Sequence, residues 1–140
     1  MNKLALFLLL FIISKSLLAQ TDTIPYATVY IYRESELQGP LKDLGLILNS
    51  KTIHNYTFGK IEQNSKMYFK IYNEGANEIS LKTDNGRAIK LNIKFGESYF
   101  IKVGLQYGRT ISRPTIQQIS KKQAVFDMER IENIVSAFEQ

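Results

Sequence analysis

The chain contains no cysteine and one histidine, His54. The first absence excludes disulfides, thiolate zinc and iron–sulfur sites, cysteine nucleophiles and a lipid-modified N-terminal cysteine. The second excludes a multi-histidine metal site. No G-x-S-x-G elbow or other nucleophile motif occurs, and there is neither an internal repeat nor a low-complexity tract. No apolar stretch approaches the ~20 residues needed to cross a bilayer as a helix. No motif implies a cofactor.

What is present starts at the N-terminus. Lys3 precedes an unbroken apolar run of ten residues, 4–13, which Ser14-Lys15-Ser16 interrupts before Leu17-Leu18-Ala19. This is the pattern of a secretory signal peptide over residues 1–19, with cleavage after Ala19 and Gln20 as the new N-terminus. Cleavage after Ser16 is the alternative. The expected localisation is exported, periplasmic or secreted, in a bacterium, with no transmembrane helix after cleavage. The full chain has 18 Lys+Arg against 13 Asp+Glu. Removing Lys3 and Lys15 leaves 16 against 13, or +3, a charge too small and too scattered for nucleic-acid binding. The remaining 121 residues, 20–140, suffice for one domain with one core.

After a polar lead-in at 20–25, residues 26–119 read as strands of period two. Val29 and Ile31 alternate with Tyr30 and Tyr32, and Leu44, Leu46 and Leu48 share a face. A weaker strand covers 52–58. Met67, Phe69 and Ile71 alternate with Tyr68, Lys70 and Tyr72, and Ile79 and Leu81 with Glu78, Ser80 and Lys82. Two further strands follow, around Ile89, Leu91 and Ile93 and around Tyr99, Ile101 and Val103. A last short strand is placed at 115–119. A three-residue turn at 84–86 sets Leu81 opposite Ile89 and Ile79 opposite Leu91. A similar turn at Lys94-Phe95-Gly96 sets Leu91 opposite Tyr99, making 76–103 a three-stranded meander with Lys82, Lys90 and Lys102 on its solvated face. The expected fold is mainly β, a small antiparallel β-sandwich of immunoglobulin-like or transthyretin-like type.

The period changes at Ser120. Ala124, Met128, Ile131, Val135 and Phe138 form an apolar stripe, widened by Val125 and Ile134. One C-terminal amphipathic helix of about five turns is therefore expected over 120–140, with Ser120 and Gln123 as its capping box. Its polar face mixes Asp127, Glu129 and Glu132 with Lys121, Lys122 and Arg130, unlike the basic face of a membrane-surface helix. Docking on the protein's own sheet is expected.

The strand plan resembles a family of bacterial exported proteins and lipoproteins catalogued as domain of unknown function 2846. The stretches that carry the resemblance are 27–33 (ATVYIYR), 44–50, 66–81, 91–103 (LNIKFGESYFIKV) and 113–119. They match the family's opening A-x-V-Y-V-Y-R, its aliphatic strand running into G-x-x-Y-Y-h-x-V, and its closing P-x-h strand. Glu34 stands where the family commonly has its first proline, and Glu74-Gly75-Ala76-Asn77 replaces its P-G-x-H turn. The resemblance implies a small β-sandwich of the bacterial envelope and brings no reaction or catalytic residue with it.

Several residues are candidates for chemistry. Tyr30 and Tyr32 share a strand face, as do Tyr68 and Tyr72. Facing outward they would form an aromatic platform for a glycan; facing inward they would cover a sheet or lie under the C-terminal helix. Tyr107, Arg109 and Arg113 surround Gly108 and could grip an anionic or sugar ligand, arginine as a fork and tyrosine as a stacking face. Glu34, Glu36 and Asp43 could form a hydrolytic or calcium-binding cluster, although calcium loops use denser spacing with a glycine at the bend. His54 lacks a nucleophile motif and reads as a half-exposed strand residue. Asn55-Tyr56-Thr57 is a formal glycosylation sequon without weight in a bacterium. The reading that follows is a non-enzymatic exported interaction or accessory domain, with an envelope protein or glycan as partner. A glycan- or small-ligand-binding module using Tyr30, Tyr32, Tyr107, Arg109 and Arg113 is the alternative, and a carboxylate hydrolase the weakest.

Overall fold

A computed structural model describes residues 24–35, 44–82, 87–107 and 112–134. The segment 1–19 expected as a signal peptide, Glu36, Asp43, the turn expected at 84–86, Arg109, Val135 and Phe138 lie outside them. Among the described residues, nine strands form two sheets packed as a sandwich, with one helix near the C-terminus. The strands are β1 (Ala27–Arg33), β2 (Leu44–Asn49), β3 (Tyr56–Ile61), β4 (Ser65–Ile71), β5 (Gly75–Leu81), β6 (Ala88–Ile93), β7 (Ser98–Tyr107), β8 (Ser112–Ile119) and β9 (Asn133–Ile134). The helix α1 spans Lys121–Met128. One sheet has the order β8-β7-β1-β4-β9 and the other β3-β2-β5-β6. Most ladders are antiparallel, but β1 with β7 and β4 with β9 run parallel.

The period-two pattern has its physical outcome here. Val29, Ile31, Met67, Ile71, Ile101 and Val103 of the first sheet face Leu44, Leu46, Leu48, Ile79, Leu81, Leu91 and Ile93 of the second in one buried core. Each such side chain contributes roughly 1.5–3 kcal/mol by leaving water. In β3 the pattern breaks at a bulge: Leu46 pairs with Gly59 and Ile47 with Thr57, leaving Phe58 as the extra residue. Phe58 turns into the core against Phe69, with ring centroids 4.4 Å apart. The strand expected at 52–58 therefore starts at Tyr56. Before it, the Ser50 hydroxyl accepts from the Ile53 N–H at 3.1 Å and Asn49 Oδ1 accepts from the Asn55 N–H at 2.6 Å. These side-chain bonds hold a turn where a ladder would otherwise run.

Two registers differ from expectation. Ile79 pairs with Ile89 rather than Leu91, a slip of two residues. An even slip keeps every side chain on its face, so the core is unchanged. The meander does not close, because β7 leaves β6 and pairs with β1. Gly96, at φ +79°, turns the chain, its N–H donating to the Tyr26 carbonyl at 2.9 Å. The Tyr99 hydroxyl braces the crossing: it accepts from the Lys94 N–H at 2.9 Å and lies 2.9 Å from Glu97 Oε2.

The helix is shorter than the stripe implied. The Ser120 hydroxyl accepts from the Gln123 N–H at 3.3 Å, as a capping residue does. After Met128 the chain tightens, with Ile131 N–H bonding to the Met128 carbonyl at 3.1 Å, and then pairs as β9 with the edge of β4. Lys66 Nζ donates to that same Met128 carbonyl at 3.1 Å. An open sheet edge competes with helix continuation through β-branched Ile131 and Ile134, and along 133–134 the edge wins. Docking on the protein's own sheet occurs as expected: Ala124 and Ile131 are buried with Tyr32 and Phe100, and Met128 packs beside them.

Candidate functional site

The solvent side of the first sheet is built in rows set by register. Ser98, Thr28 and Lys70 are paired across β7, β1 and β4; the next row is Phe100, Tyr30 and Tyr68; the next is Lys102, Tyr32 and Lys66. Tyr26 and Tyr72 continue the face beyond Thr28, with ring centroids 6.0 Å apart and edge to face. Two aromatic rows thus flank a polar one, with four residues of strand, about 13 Å, between them.

The helix divides this face into a covered and an open part. Tyr32 is 0% exposed beneath α1, and its hydroxyl donates to Asp127 Oδ2 at 2.7 Å. Of the two placements weighed for it, Tyr32 thus takes the one under the C-terminal helix and has no part in the open face. Asp127, expected on the helix's polar face, is buried and also accepts from Gln123 Nε2 at 2.6 Å and Lys102 Nζ at 3.2 Å. Lys102, expected to be solvated, bridges Asp127 and Glu34. Burial pushes the Asp127 carboxyl up, but the hydrogen bonds from Tyr32, Gln123 and Lys102 outweigh it and hold it below its ordinary range. Burial and the bond to Asp127 push the Tyr32 phenol well above its ordinary range. Burial alone would lower the Lys102 ammonium, yet its bonds to Glu34 and Asp127 leave it raised.

The open part holds Tyr26, Tyr68 and Tyr72, which are 38%, 60% and 46% exposed. Tyr30 is half-buried, stacked on Phe100 at 5.0 Å and 8° and tilted against Tyr68 at 6.2 Å. Lys70 Nζ sits 4.1 Å from the centre of the Tyr26 ring. Beside Tyr26 is a cleft of about 410 Å³, lined also by Thr28, Glu97, Ser98 and Gly96. That volume falls within the range of about 300–1,000 Å³ common for small-ligand sites.

The other candidates do not join this face. Tyr107 and Ser112 pair near the end of the β7–β8 hairpin, and Arg113 is exposed on β8. That end lies nine residues along β7 from Ser98, about 30 Å away from the cleft. Glu34 is committed to Lys102. His54 is exposed in the connection between β2 and β3, not in a strand. Among the described residues, no three or more His, Asp or Glu side chains converge on a metal-binding geometry, and no helix is long and apolar enough to cross a membrane.

Tyr26, Lys70, Thr28, Glu97 and Ser98 were not singled out from sequence. A local signal existed for the first: Tyr26, Thr28, Tyr30 and Tyr32 continue one alternation back to Pro25. The cleft had none, because it depends on the parallel pairing of β1 with β7. Compared with family models, with curated proteins and with solved structures, the chain finds no match.

Proposed function

We propose that the protein is a non-enzymatic, exported interaction module of the bacterial envelope, acting through the open outer face of its first sheet. The observation that carries this reading is the row structure: Tyr68 on β4, and Tyr26 and Tyr72 just beyond the paired ends of β1 and β4, stand exposed on one face, braced by Tyr30, Phe100 and Lys70. Outer faces of sheets ordinarily carry charged and small polar side chains, as Lys82, Glu78 and Lys90 do on the second sheet. Export rests on the N-terminal pattern, and the resemblance of 27–33 and 91–103 to the exported family points to the same compartment.

The test is cosedimentation of the purified protein with envelope fragments, beside a Tyr68→Ser, Tyr72→Ser double variant. Retention of the wild type and its loss in a variant that melts normally supports the reading. Equal retention of both proteins contradicts it. On the same reading, mass spectrometry of the chain recovered from the envelope fraction gives Gln20 as the first residue, as glutamine or its cyclised form.

A further inference from the structure

The size and polarity of the open face narrow its occupant. Taking a tyrosine side chain as about 200 Å², the exposed parts of Tyr26, Tyr68 and Tyr72 amount to roughly 300 Å². A stable protein–protein interface needs about 800 Å² from each partner. The aromatic surface is also not continuous, because the Ser98, Thr28 and Lys70 row crosses it. A protein hot spot is a desolvated apolar cluster, whereas here hydroxyls and one ammonium lie between two sets of rings. The charges nearest the cleft balance, with Lys70 over Tyr26 and Glu97 in the cleft wall.

We infer that this face binds a neutral oligosaccharide laid along the strands, crossing from one row to the next. One sugar stacks its C–H face on Tyr68, braced by Tyr30, and another stacks on Tyr72, which Tyr26 braces edge to face. The intervening hydroxyls meet Thr28, Ser98 and Lys70. The chain alternates between apolar ring faces and hydroxyls as the protein surface does, which is why a saccharide fits both kinds of row. This inference rests on the interaction-module reading and assigns its ligand class.

The protein has no tryptophan, and four of its eight tyrosines, Tyr26, Tyr30, Tyr68 and Tyr72, lie on this face, so a ligand bound there changes the tyrosine fluorescence. Maltohexaose, cellohexaose and chitohexaose are titrated into the purified protein, with an oligogalacturonate as the acidic counterpart. At least one neutral hexasaccharide is expected to change the fluorescence saturably. Its dissociation constant should rise about tenfold in Tyr68→Ala and in Tyr72→Ala, each of which removes a stacking face. The disaccharide of the same sugar reaches a single row and should bind at least about tenfold more weakly. A preference for oligogalacturonate that fades with salt would overturn neutrality as the basis of recognition. Silence with all three neutral hexasaccharides would overturn the inference. If the double variant still loses envelope fragments in that case, the face remains the contact surface for another ligand. If wild type and variant are retained alike, both proposals fall.

Discussion

Replacing Asp127 with alanine removes the acceptor that ties α1 to the first sheet, and the cost can be worked from its three partners. Gln123 is exposed and finds water instead. Lys102 keeps Glu34 and has a side chain 28% exposed, so its lost pair is worth less than about 1 kcal/mol. The Tyr32 hydroxyl is sealed beneath the helix, and stranding it costs about 1–3 kcal/mol. Alanine returns about 0.5 kcal/mol through its higher helix propensity. The expected net loss for Asp127→Ala is about 2 kcal/mol, within bounds of about 0.5–3.5 kcal/mol, read from urea unfolding followed by circular dichroism. Tyr32→Phe removes the same bond from the other side, leaving Asp127 with Gln123 and Lys102. The double variant should therefore be less destabilised than the sum of the single ones, by at least about 1 kcal/mol. Additive effects, or an Asp127→Ala variant within about 0.5 kcal/mol of wild type, would refute the assignment of Asp127 as the anchor of the helix.

Three further outcomes follow from the same geometry. Asp127 is held below its ordinary value of 3.8, so the stability it contributes is present above that pH and drains away as pH falls through its lower folded value. Tyr32 and Lys102 are raised above 10.0 and 10.5, so their contribution is full below those values and is lost as pH rises through the higher folded ones. Urea titrations across pH should show both limbs, and Asp127→Asn should flatten the acid one. Gly96→Ala meets nothing within 4 Å of the new methyl group, so its cost is the left-handed backbone alone, about 1–2 kcal/mol by urea unfolding. An unchanged midpoint would mean that the β6–β7 crossing does not depend on that conformation. His54→Gln, at an exposed connection, should stay within about 0.5 kcal/mol of wild type and keep envelope retention.

The faces of the strands were legible because burial on one side of a sheet imposes a period of two, and Val29, Ile31, Leu46, Leu48, Ile79 and Leu91 obey it. Register was less so: Ile79 opposite Ile89 and Ile79 opposite Leu91 bury the same residues, so the pattern cannot separate them. The departure of β7 from β6 was hidden, since Phe95-Gly96 serves a hairpin and a crossing equally well. What decides it is distant, the free edge of β1 and the Tyr26 carbonyl. Asp127 misled because a carboxylate on a helix normally faces water. Its burial depends on a tyrosine hydroxyl 95 residues earlier in the chain. The paired tyrosines of β1 and β4 were visible in sequence, but their fates diverged. Tyr32 falls under a helix docked from the far end of the chain, while Tyr68 and Tyr72 stay clear of it. Tyr26 gained meaning only once Tyr72 and Lys70 stood beside it.

The central claim is that the open tyrosine face is the surface that makes contact, and tyrosine nitration footprinting addresses it most directly. The protein is treated with tetranitromethane alone and when bound to envelope fragments, and modification is quantified residue by residue by mass spectrometry. Alone, Tyr26, Tyr68 and Tyr72 should react and Tyr32 should not, in line with their exposures of 38%, 60%, 46% and 0%. When bound, Tyr26, Tyr68 and Tyr72 should all be protected. Unchanged reactivity at Tyr68 and Tyr72 in protein that is demonstrably bound would contradict the claim and place the contact on another face.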